Sequence, residues 1–226
     1  MTLAKTIAKI AIKAALVIVG ILGIALTAHS SLFMGGISVF FFFTVQSNIF
    51  IIAMALVFLA NEVVVLVTKK SFANELLLRI KYVATVASTI TFLVFFTMLA
   101  PLLGPEYLLS FNNFSLHAIV PILAIIDFFL FDIDIHLTYR ISLIALIAPF
   151  CYMIFVYVGS IFKLQYGENL YYPYFFMDYK TNGFFFEKGF GIIPWIIILL
   201  IAFCGLSFLY CFLMKLRQKA ISKKSQ

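Results

Sequence analysis

Apolar residues occur in six long runs along the chain, separated by short polar segments. Most of these runs reach the roughly 20 residues that an α-helix needs to cross the hydrocarbon core of a bilayer. Within lipid, backbone polar groups must pair internally, which a helix achieves without a partner strand. The pattern predicts an all-α, polytopic transmembrane bundle that forms one domain over residues 1–226. The expected spans are residues 7–28, 38–67, 80–101, 114–131, 139–161 and 190–214.

Composition supports this prediction. Hydrophobic residues make up 65% of the chain and charged residues 11%, and the mean hydropathy is +1.15. A soluble domain carries roughly 25% charged residues, so most of this protein's surface must face lipid. The first apolar run lacks a good cleavage site, so it is expected to be a span and not a signal peptide. The three cysteines show no metal-ligand spacing and are expected to be buried free thiols: Cys151, Cys204 and Cys211.

The net charge of +7 does not indicate a nucleic-acid partner, because the cations cluster at the ends of the apolar runs. With a cytoplasmic N-terminus, 13 of the 16 basic residues fall on the cytoplasmic side. These are Lys5, Lys9, Lys13, Lys69, Lys70, Arg79, Lys81, Arg140, Lys215, Arg217, Lys219, Lys223 and Lys224. The outer side holds Lys163, Lys180 and Lys188. The asymmetry predicts a multi-pass protein of the cell membrane with both termini in the cytoplasm.

A polar patch interrupts the second apolar run. Thr44, Ser47 and Asn48 are spaced i, i+3 and i+4, so they share one face of a helix, whereas Gln46 points away from that face. Such residues often join transmembrane helices by hydrogen bonds. The density of the patch leaves a functional role open beside this structural one.

The fourth run contains a histidine and a carboxylate. Pro121 has no N–H, so the carbonyl of His117 is expected to lose its helical partner and the helix to kink. Asn113 lies one turn before His117 and could orient the imidazole. Asp127 is about 15 Å further along the axis, too far to bond His117 directly. We expect Asp127 to bind another helix or to stay protonated. For His117, a purely structural role is the alternative to a functional one.

A third polar set lies in the outer loop of residues 162–189, which is rich in tyrosine. Tyr172-Pro173-Tyr174 and Asp178 belong to it, and tyrosines favour the headgroup layer, so the loop is expected to cover the bundle like a lid. On the cytoplasmic side, the short loop with Asp132, Asp134 and His136 is expected to be solvated. We therefore predict no metal site there.

The predicted topology brings two reactive groups to the same depth. Thr44 enters its helix from the outer side, and His117 enters the fourth helix from that side after a similar number of residues. A hydroxyl nucleophile needs a base within hydrogen-bonding reach, and this pair meets the depth requirement. The Tyr-Pro loop lies on the same side.

These motifs, in this order, resemble a known family. Residues 43–48 (Phe-Thr-Val-Gln-Ser-Asn), His117 to Pro121 with Asp127, and Tyr172-Pro173-Tyr174 through Asp178 look like the bacterial relatives of the androgen-induced, or androgen-dependent TFPI-regulating, membrane proteins. The resemblance covers nearly the whole chain. It implies hydrolysis of fatty acid esters of hydroxy fatty acids, with a threonine nucleophile and a histidine. By motif position, these roles fall on Thr44 and His117.

The first hypothesis is a membrane hydrolase of lipid esters that needs no cofactor and acts on a membrane lipid or fatty acyl ester. Thr44 and His117 would be catalytic, Ser47 or Asn48 would bind the oxyanion, and Asn113 or Asp178 would orient the histidine. The full set of supporting residues is Ser47, Asn48, Gln46, Asn113, Asp127, Tyr174 and Asp178. A small-molecule or lipid transporter and a non-catalytic structural bundle are the alternatives.

Overall fold

A computed structural model describes residues 3–33, 37–167, 169–187 and 189–224 of the protein. Within these ranges, six helices are long and apolar enough to cross a membrane, so the predicted all-α, multi-pass architecture is confirmed. The helices are α1 (Leu3–Phe33), α2 (Phe43–Thr68), α3 (Glu75–Leu102), α4 (Phe111–Phe131), α5 (Tyr139–Ile161) and α6 (Ile192–Lys224). Lys188 and residues 34–36 of the first predicted outer loop lie outside the described residues.

The helices differ from the predicted spans mainly at their ends. The predicted span 38–67 divides into a 3-10 turn at Ser38–Phe41, an extended residue at Phe42 and then α2. The last helix continues ten residues beyond position 214, because its Lys-rich end is polar but still favours helix formation. Apolar runs locate the part of a helix inside lipid, whereas the helix itself continues into water.

Lys9 near the start of α1 contacts Glu62 near the end of α2, and Lys81 near the start of α3 contacts Asp132 just after α4, so these neighbouring helices are antiparallel. Arg217 near the end of α6 donates to the Leu130 carbonyl, so both ends of the described chain lie at one end of the bundle. We call this end the terminal side, and we call the opposite end, with residues 37–42, 103–110, 162–167, 169–187 and 189–191, the loop side. Helices α1 to α4 pack around a common apolar core, and α5 packs against α3. Contacts between α5 and α6 are concentrated at Tyr139–Leu146, on the terminal side. The two helices separate toward the loop side.

Helix α1 approaches α4 closely at a glycine. A Cβ atom placed on Gly23 would overlap the Ser115 hydroxyl and the side chain of Leu116. Small residues permit such close approach between transmembrane helices. Gly23 therefore lets α1 support the segment of α4 that carries His117.

The long loop on the loop side folds onto the bundle, in agreement with the predicted lid. Its buried residues form an aromatic cluster with the start of α2, with α5 and with α6. The loop contributes Tyr166, Tyr172, Phe176 and Met177, and the helices contribute Tyr152 and Trp195. This packing fixes the loop above the first turn of α2.

A buried ion-pair cluster joins three helices on the terminal side. Lys13 Nζ of α1 lies 2.7 Å from Asp127 Oδ1 of α4, and Lys81 Nζ of α3 lies 2.6 Å from Asp127 Oδ2 and from Asp132 Oδ2. The four side chains are only 1–4% exposed. Of the two expectations for Asp127, binding to another helix is the one observed.

This cluster and one cysteine correct two predictions. Asp132 is buried against Lys81 and not solvated, because the chain turns back under the bundle at the end of α4, whereas Asp134 and His136 are exposed. All three cysteines are free, but Cys151 is exposed and Cys204 is half-buried, since α5 and α6 each turn one face outward. Only Cys211 is buried as predicted.

Candidate functional site

The structure brings Thr44 and His117 into contact on the loop side of the bundle. Thr44 is the second residue of α2, and its Oγ1 lies 3.2 Å from Nε2 of His117 in α4. The imidazole is 8% exposed and stacks on the ring of Phe95, with ring centroids 3.7 Å apart and planes inclined by 19°. The stacked ring fixes the plane in which Nε2 faces the hydroxyl.

The second ring nitrogen of His117 determines the tautomer. Nδ1 lies 2.9 Å from the backbone carbonyl oxygen of Asn113. A carbonyl oxygen can only accept, so Nδ1 of the neutral ring carries the hydrogen and donates it. Nε2 is then unprotonated and accepts the hydrogen bond from the Thr44 hydroxyl. This is the arrangement that a general base needs toward a nucleophilic hydroxyl.

Two helical segments at this site are π-helical. Ser115–Ile119 surrounds His117, and Phe95–Leu99 begins with the ring that stacks on it. Single π-turns within α-helices occur frequently at functional sites. Here the π-turn in α4 shifts the backbone pairing by one residue, so that the Val120 N–H donates to the Ser115 carbonyl.

The π-turn changes which carbonyl lacks a backbone partner because of Pro121. In the regular helix expected from the sequence, the His117 carbonyl would lack an N–H donor. With π-helical pairing, the Leu116 carbonyl lacks it instead. The Leu116 carbonyl instead accepts a hydrogen bond from Asn48 Nδ2 at 3.0 Å. Asn48 Nδ2 also donates to the Thr44 carbonyl at 2.7 Å.

Asn48 therefore links the backbone of Thr44 in α2 to the backbone of Leu116, the residue before His117 in α4. Both hydrogens of its amide are used in this way, so Asn48 has no free N–H for an oxyanion. In this structure the predicted oxyanion role of Asn48 has no free donor. Its place between α2 and α4 makes it a positioning residue.

Ser47 and Gln46 also lie apart from the reacting pair. The Ser47 hydroxyl contacts Thr91 Oγ1 of α3 at 2.8 Å and the Thr44 carbonyl at 3.1 Å, so its hydrogen is engaged between helices. Gln46 points away as expected, and its Nε2 donates to the Phe40 carbonyl at 3.2 Å. Neither side chain takes the supporting role expected in the site, because each is held by a local or interhelical partner.

The residues expected to orient the histidine behave differently from the prediction. Asn113 does orient the ring, but through its backbone carbonyl, while its side chain donates to Tyr107 and Ser110 in the preceding loop. Asp178 caps a short helix at Tyr179–Asn182 and accepts from Lys180 N and Thr181 N. Asp178 therefore has no part in orienting His117, and Asp127 belongs to the ion-pair cluster.

Tyr174 is the residue that the loop contributes to the site. Its side chain lines the same cavity as Thr44. Burial raises the pKa of the Tyr174 phenol to about 12. The phenol therefore keeps its proton near neutral pH and can donate it in a hydrogen bond.

A cavity of about 500 Å³ extends from Thr44 between α3, α5 and α6. Thr44, Tyr152, Tyr157 and Tyr174 supply hydroxyl groups at its loop-side end. The remainder is lined almost entirely by aliphatic and aromatic side chains and by methionines. Three lining residues, Ile147, Phe150 and Leu200, are also more than half exposed, so the cavity opens sideways between α5 and α6.

Two contributors were not identified from the sequence. Phe95 and Thr91 lie in an apolar helix, and nothing in the one-dimensional pattern distinguishes them from core residues.

Comparisons of the chain with protein-family models, curated proteins and solved structures find no match.

Proposed function

We propose that the protein is a membrane-embedded hydrolase of lipid esters that uses Thr44 as nucleophile and His117 as general base. The contact between Thr44 Oγ1 and the unprotonated Nε2 of His117 carries this proposal. The resemblance to the androgen-induced protein family is consistent with it. We place the enzyme in the cell membrane with its termini in the cytoplasm, as the distribution of basic residues predicts.

The contact between Thr44 and His117 supports the following reaction. Thr44 Oγ1 attacks the ester carbonyl carbon, and His117 Nε2 takes the hydroxyl proton. The tetrahedral intermediate collapses, the C–O bond to the alcohol breaks, and His117 gives the proton to the departing oxygen. Water then attacks the acyl-Thr44 ester with His117 again as base, which releases the acid and restores the hydroxyl.

The lining of the cavity supports a substrate with an alkyl chain. Apart from the hydroxyl-bearing residues, the described lining is apolar, so it can bind an alkyl chain but cannot satisfy hydrogen-bonding groups. A fatty acyl ester places its carbonyl at Thr44 and its chain in the apolar part. The opening between α5 and α6 lets such a chain move in from the bilayer without leaving an apolar environment.

Covalent labelling of the purified protein with a fluorophosphonate tests the nucleophile. We expect Thr44 to be labelled, and we expect labelling to disappear in Thr44→Ala and in His117→Ala, because the hydroxyl is nucleophilic only beside its base. Ser47→Ala is the matched control, since it removes a hydroxyl one turn along the same helix and should still be labelled. A folded wild-type protein without label at Thr44 would argue against the hydrolase.

Tyr174→Phe tests the oxyanion donor. Tyr174 is the loop phenol that lines the cavity together with Thr44, so we propose its O–H as the oxyanion donor, and its removal should lower kcat by about 10²-fold with little change in KM. Tyr172→Phe is the control, because Tyr172 is a buried phenol of the same loop that does not line the cavity. Equal kcat values for Tyr174→Phe and wild type would contradict this role.

A further inference from the structure

Three side chains line the terminal-side end of the cavity. Leu143 and Leu146 come from the first turns of α5, and Phe203 comes from α6 where that helix meets them. Toward the loop side, the hydroxyl-bearing residues occupy the opposite end. The cavity therefore has one polar end at Thr44 and one apolar end.

Behind this apolar end lies a buried layer held by hydrogen bonds. Tyr82 of α3 donates its phenol hydrogen to the Ser142 carbonyl at 3.0 Å, and the hydroxyls of Thr89 and Tyr210 are 2.6 Å apart. Tyr82 and Tyr210 are at most 3% exposed. Displacing this layer would break buried hydrogen bonds, which is energetically unfavourable. A ligand therefore does not extend the cavity beyond this layer.

The depth of the cavity can be measured along α5. The ring of Tyr152 packs on that of Phe43, beside Thr44, and Leu143 lies nine residues earlier in the helix. The stretch Leu143–Leu146 is 3-10 helix, which rises about 2.0 Å per residue, and the rest is α-helix at about 1.5 Å, so the depth is about 15 Å. A fully extended chain advances about 1.2 Å per bond, so about 12 carbon atoms fit between the two levels. The depth is also close to that of one leaflet, which is about 15 Å.

We propose that Leu143, Leu146 and Phe203 form an end stop that limits the acyl chain of the substrate to about 12 carbon atoms. This inference rests on the proposed hydrolase, in which the ester lies at Thr44. A lipid in the loop-side leaflet has its ester near the surface and its chain toward the midplane, which is the direction of the cavity. The substrate can thus bind without reversing its orientation in the membrane.

A chain-length series of p-nitrophenyl esters tests the end stop. For wild type we expect kcat/KM to rise with acyl length to about 12 carbon atoms and to fall for longer chains. Leu146→Phe should move this maximum to shorter chains by about two carbon atoms, and Leu146→Ala should move it to longer ones. Leu209→Phe makes the same substitution on the exposed face of α6 and should leave the profile unchanged.

Turnover of the shortest ester serves as the test of folding, because a short chain does not reach the end stop. If Leu146→Phe keeps this turnover and also keeps the wild-type length profile, long chains leave through the opening between α5 and α6, and the end stop is overturned. Leu143→Phe provides an independent second variant at the same end.

A binding measurement separates failure of the end stop from failure of the hydrolase. Native mass spectrometry of the detergent-solubilised protein with a mixture of saturated fatty acids reports which lengths are retained. A wild-type protein that hydrolyses none of the esters rejects the hydrolase. The end stop then stands only if Leu146→Phe still shifts the retained fatty acids to shorter chains, and an unshifted distribution overturns it.

Discussion

Replacing Thr44 by alanine is expected to abolish hydrolysis of every lipid ester that the wild-type protein cleaves. Removal of the nucleophile or its base in serine hydrolases lowers kcat by about 10⁶-fold, and we expect a loss of at least about 10³-fold here. The reason is that the attacking oxygen is lost and no second hydroxyl faces His117 Nε2 in the described part of the site. Turnover of a panel of lipid esters by protein in detergent or vesicles provides the measurement.

Three variants make the result specific. Thr44→Ser keeps the hydroxyl and should retain activity, whereas His117→Ala should also lose at least about 10³-fold, because the base that activates the hydroxyl is removed. Thr68→Ala makes the same substitution at the opposite end of α2, where Thr68 bonds the Val64 carbonyl, and should match wild type. Full turnover by Thr44→Ala would remove the basis of the proposal and favour a transporter or a structural bundle.

The second large effect is on stability. Lys81→Met is expected to lower the free energy of unfolding by about 3–5 kcal/mol, because it leaves two buried carboxylates with only one cation between them. Lys81 Nζ contacts both Asp127 and Asp132 at 2.6 Å, and all three side chains are almost fully buried. Chemical or thermal unfolding in a single detergent would measure the change.

A compensated variant tests whether the loss comes from unpaired charge. Lys81→Met combined with Asp132→Asn leaves Lys13 and Asp127 as a balanced pair at 2.7 Å, so most of the lost stability should return. Lys70→Met is the control, since Lys70 is exposed and its removal should cost about 0–1 kcal/mol. If the double variant is as unstable as Lys81→Met alone, charge balance does not explain the effect.

This cluster also bears on the transporter alternative. Its two lysines and two aspartates contact one another, and none of the four lines the cavity that begins at Thr44. Intramembrane charges often mark a pathway for ions or protons, but those groups face a water-filled space. The arrangement in this protein fits a connection between α1, α3 and α4.

Much of the architecture could be predicted from the sequence, because lipid imposes one simple requirement on long apolar segments. Each must form its own backbone hydrogen bonds, so six runs give six helices, and their alternation places Thr44 and His117 at one end of the bundle. The shared helix face of Thr44, Ser47 and Asn48 also follows from spacing alone. These features are local and periodic, so they can be predicted from the sequence alone.

The tertiary structure decided which polar side chains take part in the site. Helical spacing put Ser47 and Asn48 beside Thr44, but the neighbouring helices supply their partners, Thr91 and the Leu116 carbonyl. The π-turn before Pro121 selected that carbonyl and left Asn113 to orient His117. Hydrogen-bond partners depend on the rotation and register of packed helices, whereas apolar periodicity records only which segments lie in lipid.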